Sequence, residues 1–115
     1  MDARLAHESL DVYRVALEFL ALSEEIACSL PPGRAEMAQQ LRAAALSIVL
    51  NIGEGYGKRA VRDRKRFYDI ARGSAHECGC VLDAARALGW LSNRLSEPGK
   101  SCLVRIVSML VKMSR

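Results

Sequence analysis

Three short stretches hold the residue types from which chemistry could be built. NIGEGYGKR, Asn51 to Arg59, alternates three glycines with other residues and runs into Lys58-Arg59, the composition of a backbone cradle for phosphate. A Walker loop, however, needs G-x-x-x-x-G-K-[ST] after a strand, with the hydroxyl on magnesium. Position 52 is Ile and position 59 is Arg, so the first glycine and the hydroxyl are both missing. The dinucleotide fingerprint G-x-G-x-x-G fails as well, because the third glycine comes one residue early and no βαβ unit surrounds it. The better reading is a helix end. Each interior glycine costs about 1 kcal/mol against alanine, so the helix weakens towards Gly57 and gives way to a tight hairpin.

His76, Cys78 and Cys80 form HECGC, which raises a metal site. On a helix the two thiols point roughly 200° apart and cannot chelate together. His76 and Cys80 share a face but make only two ligands, where zinc takes three or four from the protein. No cysteine sits in a nucleophile motif, and His7 and His76 are the only candidate bases. These patterns give no catalytic residue, no metal ligand set and no cofactor, so the chain reads as a non-enzyme.

The run KRAVRDRKR, residues 58–66, is the strongest functional candidate. Lys58, Arg59, Arg62, Lys65 and Arg66 gather around the start of a helix, with Arg59, Arg62 and Arg66 on one face where they could meet phosphates. Asp63 is spaced to pair with Arg59, and Asp69 with Lys65. Cations at a helix N-terminus oppose its dipole, so the placement forgoes stability. No aromatic interleaving suggests base stacking, and binding here is expected to be backbone-directed and salt-sensitive. The structural alternative is a solvated charged face.

The elements that must position these residues are helical throughout. The chain has 115 residues, half of them apolar and 5% aromatic, with a formal charge of +4: one domain spanning 1–115, with a balance suited to helices and open to an anionic partner. Apolar spacing and punctuation predict four helices, about 9–29, 34–56, 61–88 and 96–114. Ser9 is the expected first N-cap, and Pro31-Pro32-Gly33 ends the first helix. Inward stripes are expected at Met37, Leu41, Ala44, Ile48, Asn51 and Gly55 on the second helix, and at Phe67, Ile70, Ser74, Val81, Ala85 and Leu88 on the third. On the fourth, Leu103, Ile106, Val107, Leu110 and Met113 form the stripe. Gly89 fits a left-handed cap, and Pro98 is placed in the first turn of the fourth helix. Short connections make this an all-α, up-down-up-down antiparallel four-helix bundle.

A hairpin turn centred on residues 59–60 sets Arg42 level with Glu77 and Glu54 level with Lys65. An Arg42–Glu77 ion pair and an Asn51 hydrogen bond across helices are expected to fix that register. The apolar positions of the first helix, from Val12 to Leu22, cover more than one face, which suggests a second contact surface. The opening MDARLAHESL lacks an apolar signal core, and the longest apolar run, residues 43–50, is too short for a bilayer. The four cysteines show no CxxC, so a cytoplasmic protein with reduced thiols, not a membrane protein, is expected.

QLRAAALSIVLNIGEGYGKR (40–59) followed by FYDIARGSAHE (67–77) resembles the bacterial four-helix-bundle family encoded in intervening sequences of large-subunit ribosomal RNA genes. The matching positions include Arg42, Asn51, Glu54, Gly55, Gly73, Ser74 and Glu77, and LGWL at 88–91 matches the usual end of the third helix. The chain departs from the pattern at Ala43, Val49 and Gly79. The resemblance implies a homo-oligomer, a pentameric ring, without enzymatic activity. It also includes relatives that bind reverse transcriptase and nucleic acid in diversity-generating retroelements. Two expectations result: an oligomeric scaffold binding RNA or DNA backbone through the basic hairpin, or an adaptor ring for a protein partner with no nucleic-acid role.

Overall fold

The computed structural model describes residues 3–115. A 3-10 turn, Ala6–Ser9, precedes four helices: α1 (Asp11–Ser29), α2 (Ala35–Tyr56), α3 (Val61–Ala87) and α4 (Asn93–Met113). Each helix packs on its chain neighbours, and α4 closes the ring against α1. The result is an all-α antiparallel bundle. Phe19, Ile26, Leu41, Ile48, Ile52, Leu82, Ile106 and Leu110 fill its centre and are fully buried. Among the described residues no helix is long and apolar enough to cross a membrane.

The first helix starts at Asp11. Ser9 does not cap it, because the 3-10 turn intervenes and the Ser9 hydroxyl donates back to the Ala6 carbonyl at 3.0 Å. Glu8 closes that turn by accepting from the Leu5 amide at 2.6 Å. The broad apolar surface of α1 is consumed inside the bundle. Val12, Val15, Ala16 and Phe19 are buried, Tyr13, Leu20 and Leu22 are half-buried, and only Leu17 and Ala21 of that set lie exposed. A helix wedged between two neighbours needs a wider stripe than one face.

The expected stripe of α3 is rotated by about one residue from the observed one. Tyr68, Ala71, Ala75, Cys78, Leu82 and Ala85 are buried, whereas Ile70 is 45% and Leu88 55% exposed. The close α2–α3 approach brings Tyr68 and Leu82 inside together with four small residues. A Cβ on Gly55 would stand 2.9 Å from Phe67 Cβ and 2.9 Å from Tyr68 Cε1, so α3 packs directly against the α2 backbone there. Gly57 caps α2 with right-handed φ of −76°.

At the far end of α3, Gly89 has φ +75°. Its amide donates to the Arg86 carbonyl at 3.0 Å, and the Trp90 amide donates to the Ala85 carbonyl at 2.8 Å. That pair of bonds satisfies the last carbonyls and turns the chain sharply. α4 begins at Asn93, three residues before the expected start, because the Ser92 hydroxyl accepts from the Leu95 amide at 3.4 Å and caps it. Pro98 consequently lies in the second turn rather than the first. Its ring nitrogen leaves the Arg94 carbonyl without a helical donor.

Candidate nucleic-acid interface

The basic hairpin forms where α2 runs out at Tyr56 and α3 starts at Val61. Lys58 and Lys65 are half-buried, while Arg59, Arg62 and Arg66 are exposed. Two aromatic rings organise the cluster. Lys58 Nζ lies 5.2 Å and the Arg66 guanidinium 5.6 Å from the Phe67 ring centre. Arg64 spans the loop, donating from Nε to the Lys58 carbonyl at 2.6 Å with its guanidinium 5.4 Å from the Tyr56 ring. Cations held on ring faces keep their charge while losing less freedom than unattached lysines and arginines.

Among the described residues the ion pairs are Arg14–Asp11, Arg42–Glu24, Arg86–Glu97 and Lys100–Asp83. None involves a hairpin cation, so the expected Arg59–Asp63 and Lys65–Asp69 pairs do not form. Arg59 sits in the bend before α3, where helical spacing does not apply. For Lys65 and Asp69 the gain of an exposed pair is small enough for water to take its place. Glu54 is exposed at the end of α2 and makes no ion pair with Lys65.

The polar positions at the α2–α3 seam are connected differently from the expectation. Arg42 turns towards α1 and grips Glu24 with two bonds, Nε to Oε2 at 2.7 Å and Nη2 to Oε1 at 3.1 Å. That guanidinium holds the Glu24 carboxyl below its usual range. Glu77 instead accepts from Gln40 Nε2 at 3.3 Å. Arg42 and Glu77 are level along the bundle but leave their helices on different sides, so no ion pair joins them. Asn51 bonds within its own helix, donating from Nδ2 to the Ser47 carbonyl at 2.8 Å and to Ser47 Oγ at 3.1 Å. The bond across helices is made by Ser47 Oγ and Ser74 Oγ, 2.8 Å apart. Asn51 thus supports the cross-helix bond by occupying a Ser47 lone pair.

His76, Cys78 and Cys80 separate as the helical angle requires: Cys78 is fully buried, Cys80 and His76 exposed. Burial pushes the Cys78 thiol up to about 12. Among the described residues no three His, Cys, Asp or Glu side chains converge as a metal site.

Three exposed apolar side chains, Leu46, Leu50 and Ile70, lie on the outer faces of α2 and α3. Leu46 and Leu50 are 47% and 57% exposed on the outward face of α2, and Ile70, one turn before Ser74, borders the α2–α3 seam. Further along, Met37, Val81 and Trp90 line a groove of about 500 Å³, with the Arg34 guanidinium 4.1 Å from the Trp90 ring centre.

Residues 8–112 match the family model described as 23S rRNA-intervening sequence protein. The fold is similar to a crystal structure of a protein of unknown function from the S23 ribosomal protein family of Bacteroides thetaiotaomicron. The TM-score is 0.83 at 21% identity, over 90% of this chain and 98% of that one. No curated protein matches the chain.

Proposed function

The chain belongs to the 23S rRNA-intervening sequence protein family, and for this member we propose a non-enzymatic, homo-oligomeric scaffold that holds RNA or DNA by its phosphate backbone. It works in the cytoplasm, assembled as the five-membered ring that the family resemblance implies. The observation that carries this reading is the hairpin cluster. Lys58, Arg59, Arg62, Lys65 and Arg66 stand together at one end of the bundle without an ion pair among the described residues, two of them braced on Phe67. Copies in a ring would concentrate that charge, and their summed field would favour a polyanion over small anions.

Fluorescence anisotropy with labelled RNA and DNA across a salt series tests it. Affinity falls with salt, each phosphate contact contributing about −0.9 to the logarithmic slope on duplex DNA. An Arg59→Glu, Arg62→Glu, Arg66→Glu variant loses binding while light scattering reports an unchanged assembly. Absence of wild-type binding at low salt would overturn the reading.

A second reading, an adaptor ring for a protein partner, draws on the exposed Leu46, Leu50 and Ile70 and the Trp90 groove. Partner capture that is indifferent to salt would favour it.

A further inference from the structure

The up-down topology returns α4 to the end of the bundle that carries the hairpin. A depression of about 320 Å³ there is lined by Tyr56 of α2, by Val61, Arg64, Lys65 and Tyr68 of α3, and by Met113 of α4. Lys112 and Arg115, distant from the hairpin in sequence, are exposed at this same end and in no ion pair among the described residues. Among the described residues the acidic side chains of this end are Glu8, Asp11, Glu54, Asp63 and Asp69. Asp11 is paired with Arg14, and the other four face Lys58, Arg59, Arg62, Arg64, Lys65, Arg66, Lys112 and Arg115, which leaves cations in excess.

The described aromatic rings of this end are each engaged by a neighbour or buried. Phe67 has Lys58 and Arg66 beside it, Tyr56 has Arg64, Tyr13 meets the His7 ring edge-on at 4.7 Å, and Tyr68 is 4% exposed. Proteins that hold single strands combine a charged groove with open aromatic platforms for the bases. Here the positive groups are spread over the ends of two helices and a loop, with rings serving as props for cations. Such a surface offers phosphates many cations and an unpaired base no open aromatic platform.

We propose that the ligand of this end is a double helix, whose phosphates meet the hairpin cations on one side of the depression and Lys112 of α4 with Arg115 just beyond it on the other. The proposal rests on the nucleic-acid reading above and narrows it to paired strands. Lys112 also suits the negative C-terminal end of the α4 dipole, a purely structural role that would leave binding untouched.

The test uses the full chain and four labelled probes of equal length: duplex RNA, duplex DNA, and an unstructured single strand of each. The expected result is binding of one or both duplexes about tenfold or more tighter than the single strands at the same salt. A Lys112→Glu, Arg115→Glu variant should retain its fold and assembly, and its slope on duplex DNA should be shallower by about 2. Single strands bound as tightly as duplexes would overturn the proposal and leave the backbone reading standing, as would an unchanged slope in the α4 variant. No binding of any probe would overturn both.

Discussion

Replacing Gly55 by Ala places a methyl carbon 2.9 Å from Phe67 Cβ and from the Tyr68 ring. Ordinary carbon contacts lie at about 3.5–4.0 Å, so roughly 0.6–1 Å must be found. Phe67 Cβ is fixed to the α3 backbone and cannot swing aside. The Tyr68 ring is 4% exposed and packed in the core. α3 must therefore shift from α2, and overpacking of this kind costs about 1–3 kcal/mol. Gly73, inside α3, is the control, since a Cβ there meets nothing within 4 Å. Gly73→Ala gains the helix preference of alanine, about 1 kcal/mol, without the clash. The same preference is smaller for Gly55, which lies in the last turn of α2. The two variants should thus differ by about 2–4 kcal/mol, with Gly73→Ala the more stable. Urea unfolding followed by circular dichroism, at one protein concentration, measures the difference. For a chain of this size each kcal/mol corresponds to about 4 °C in Tm. Equal stabilisation by both substitutions would refute the close approach of α3 to the α2 backbone.

The buried Ser96 hydroxyl has no hydrogen-bond partner among the described residues, so Ser96→Ala should stabilise by about 1 kcal/mol in the same unfolding assay. In the native protein an alkylating reagent at pH 8 should label Cys28 and Cys80, which are exposed, and spare Cys78 and Cys102, which are buried; all four should label in denaturant, as mass spectrometry will count. Burial raises the Cys78 thiol from 9.0 to about 12, so the folded chain keeps a proton that the unfolded chain releases. Stability should consequently fall as pH climbs from 9 towards 12, and Cys78→Ala should flatten that limb of the profile. On the acid side the Arg42 hydrogen bond lowers the Glu24 carboxyl below 4.5. Its contribution is present above that value and lost as pH falls through the lowered one, so the difference between wild type and Glu24→Gln should close in acid.

Periodicity and punctuation determined that the chain is four helices in an antiparallel bundle. They also located the α2–α3 hairpin and the left-handed cap at Gly89, because these depend on local φ preference and on apolar spacing along one element. Level along the bundle was legible too. Gln40 with Glu77 and Ser47 with Ser74 straddle the register implied by a turn at 59–60. Rotation about each helix axis was not. In α3 the large apolar residues Ile70, Val81 and Leu88 point one way in sequence, yet the inside is built from Ala71, Ala75, Cys78 and Ala85. Gly55 lets α3 close on the α2 backbone with Tyr68 inside, beside Leu82 and the small Ala71, Ala75, Cys78 and Ala85, and no single-helix pattern carries that information. The same rotation decides that Arg42 meets Glu24 and Glu77 meets Gln40. Membership of the basic end was split likewise. The run at 58–66 was visible as a string of charges, whereas Lys112 and Arg115 join it only when α4 returns beside α3. Sequence spacing reports what lies on one helix face; which faces meet is settled by the packing of four helices at once.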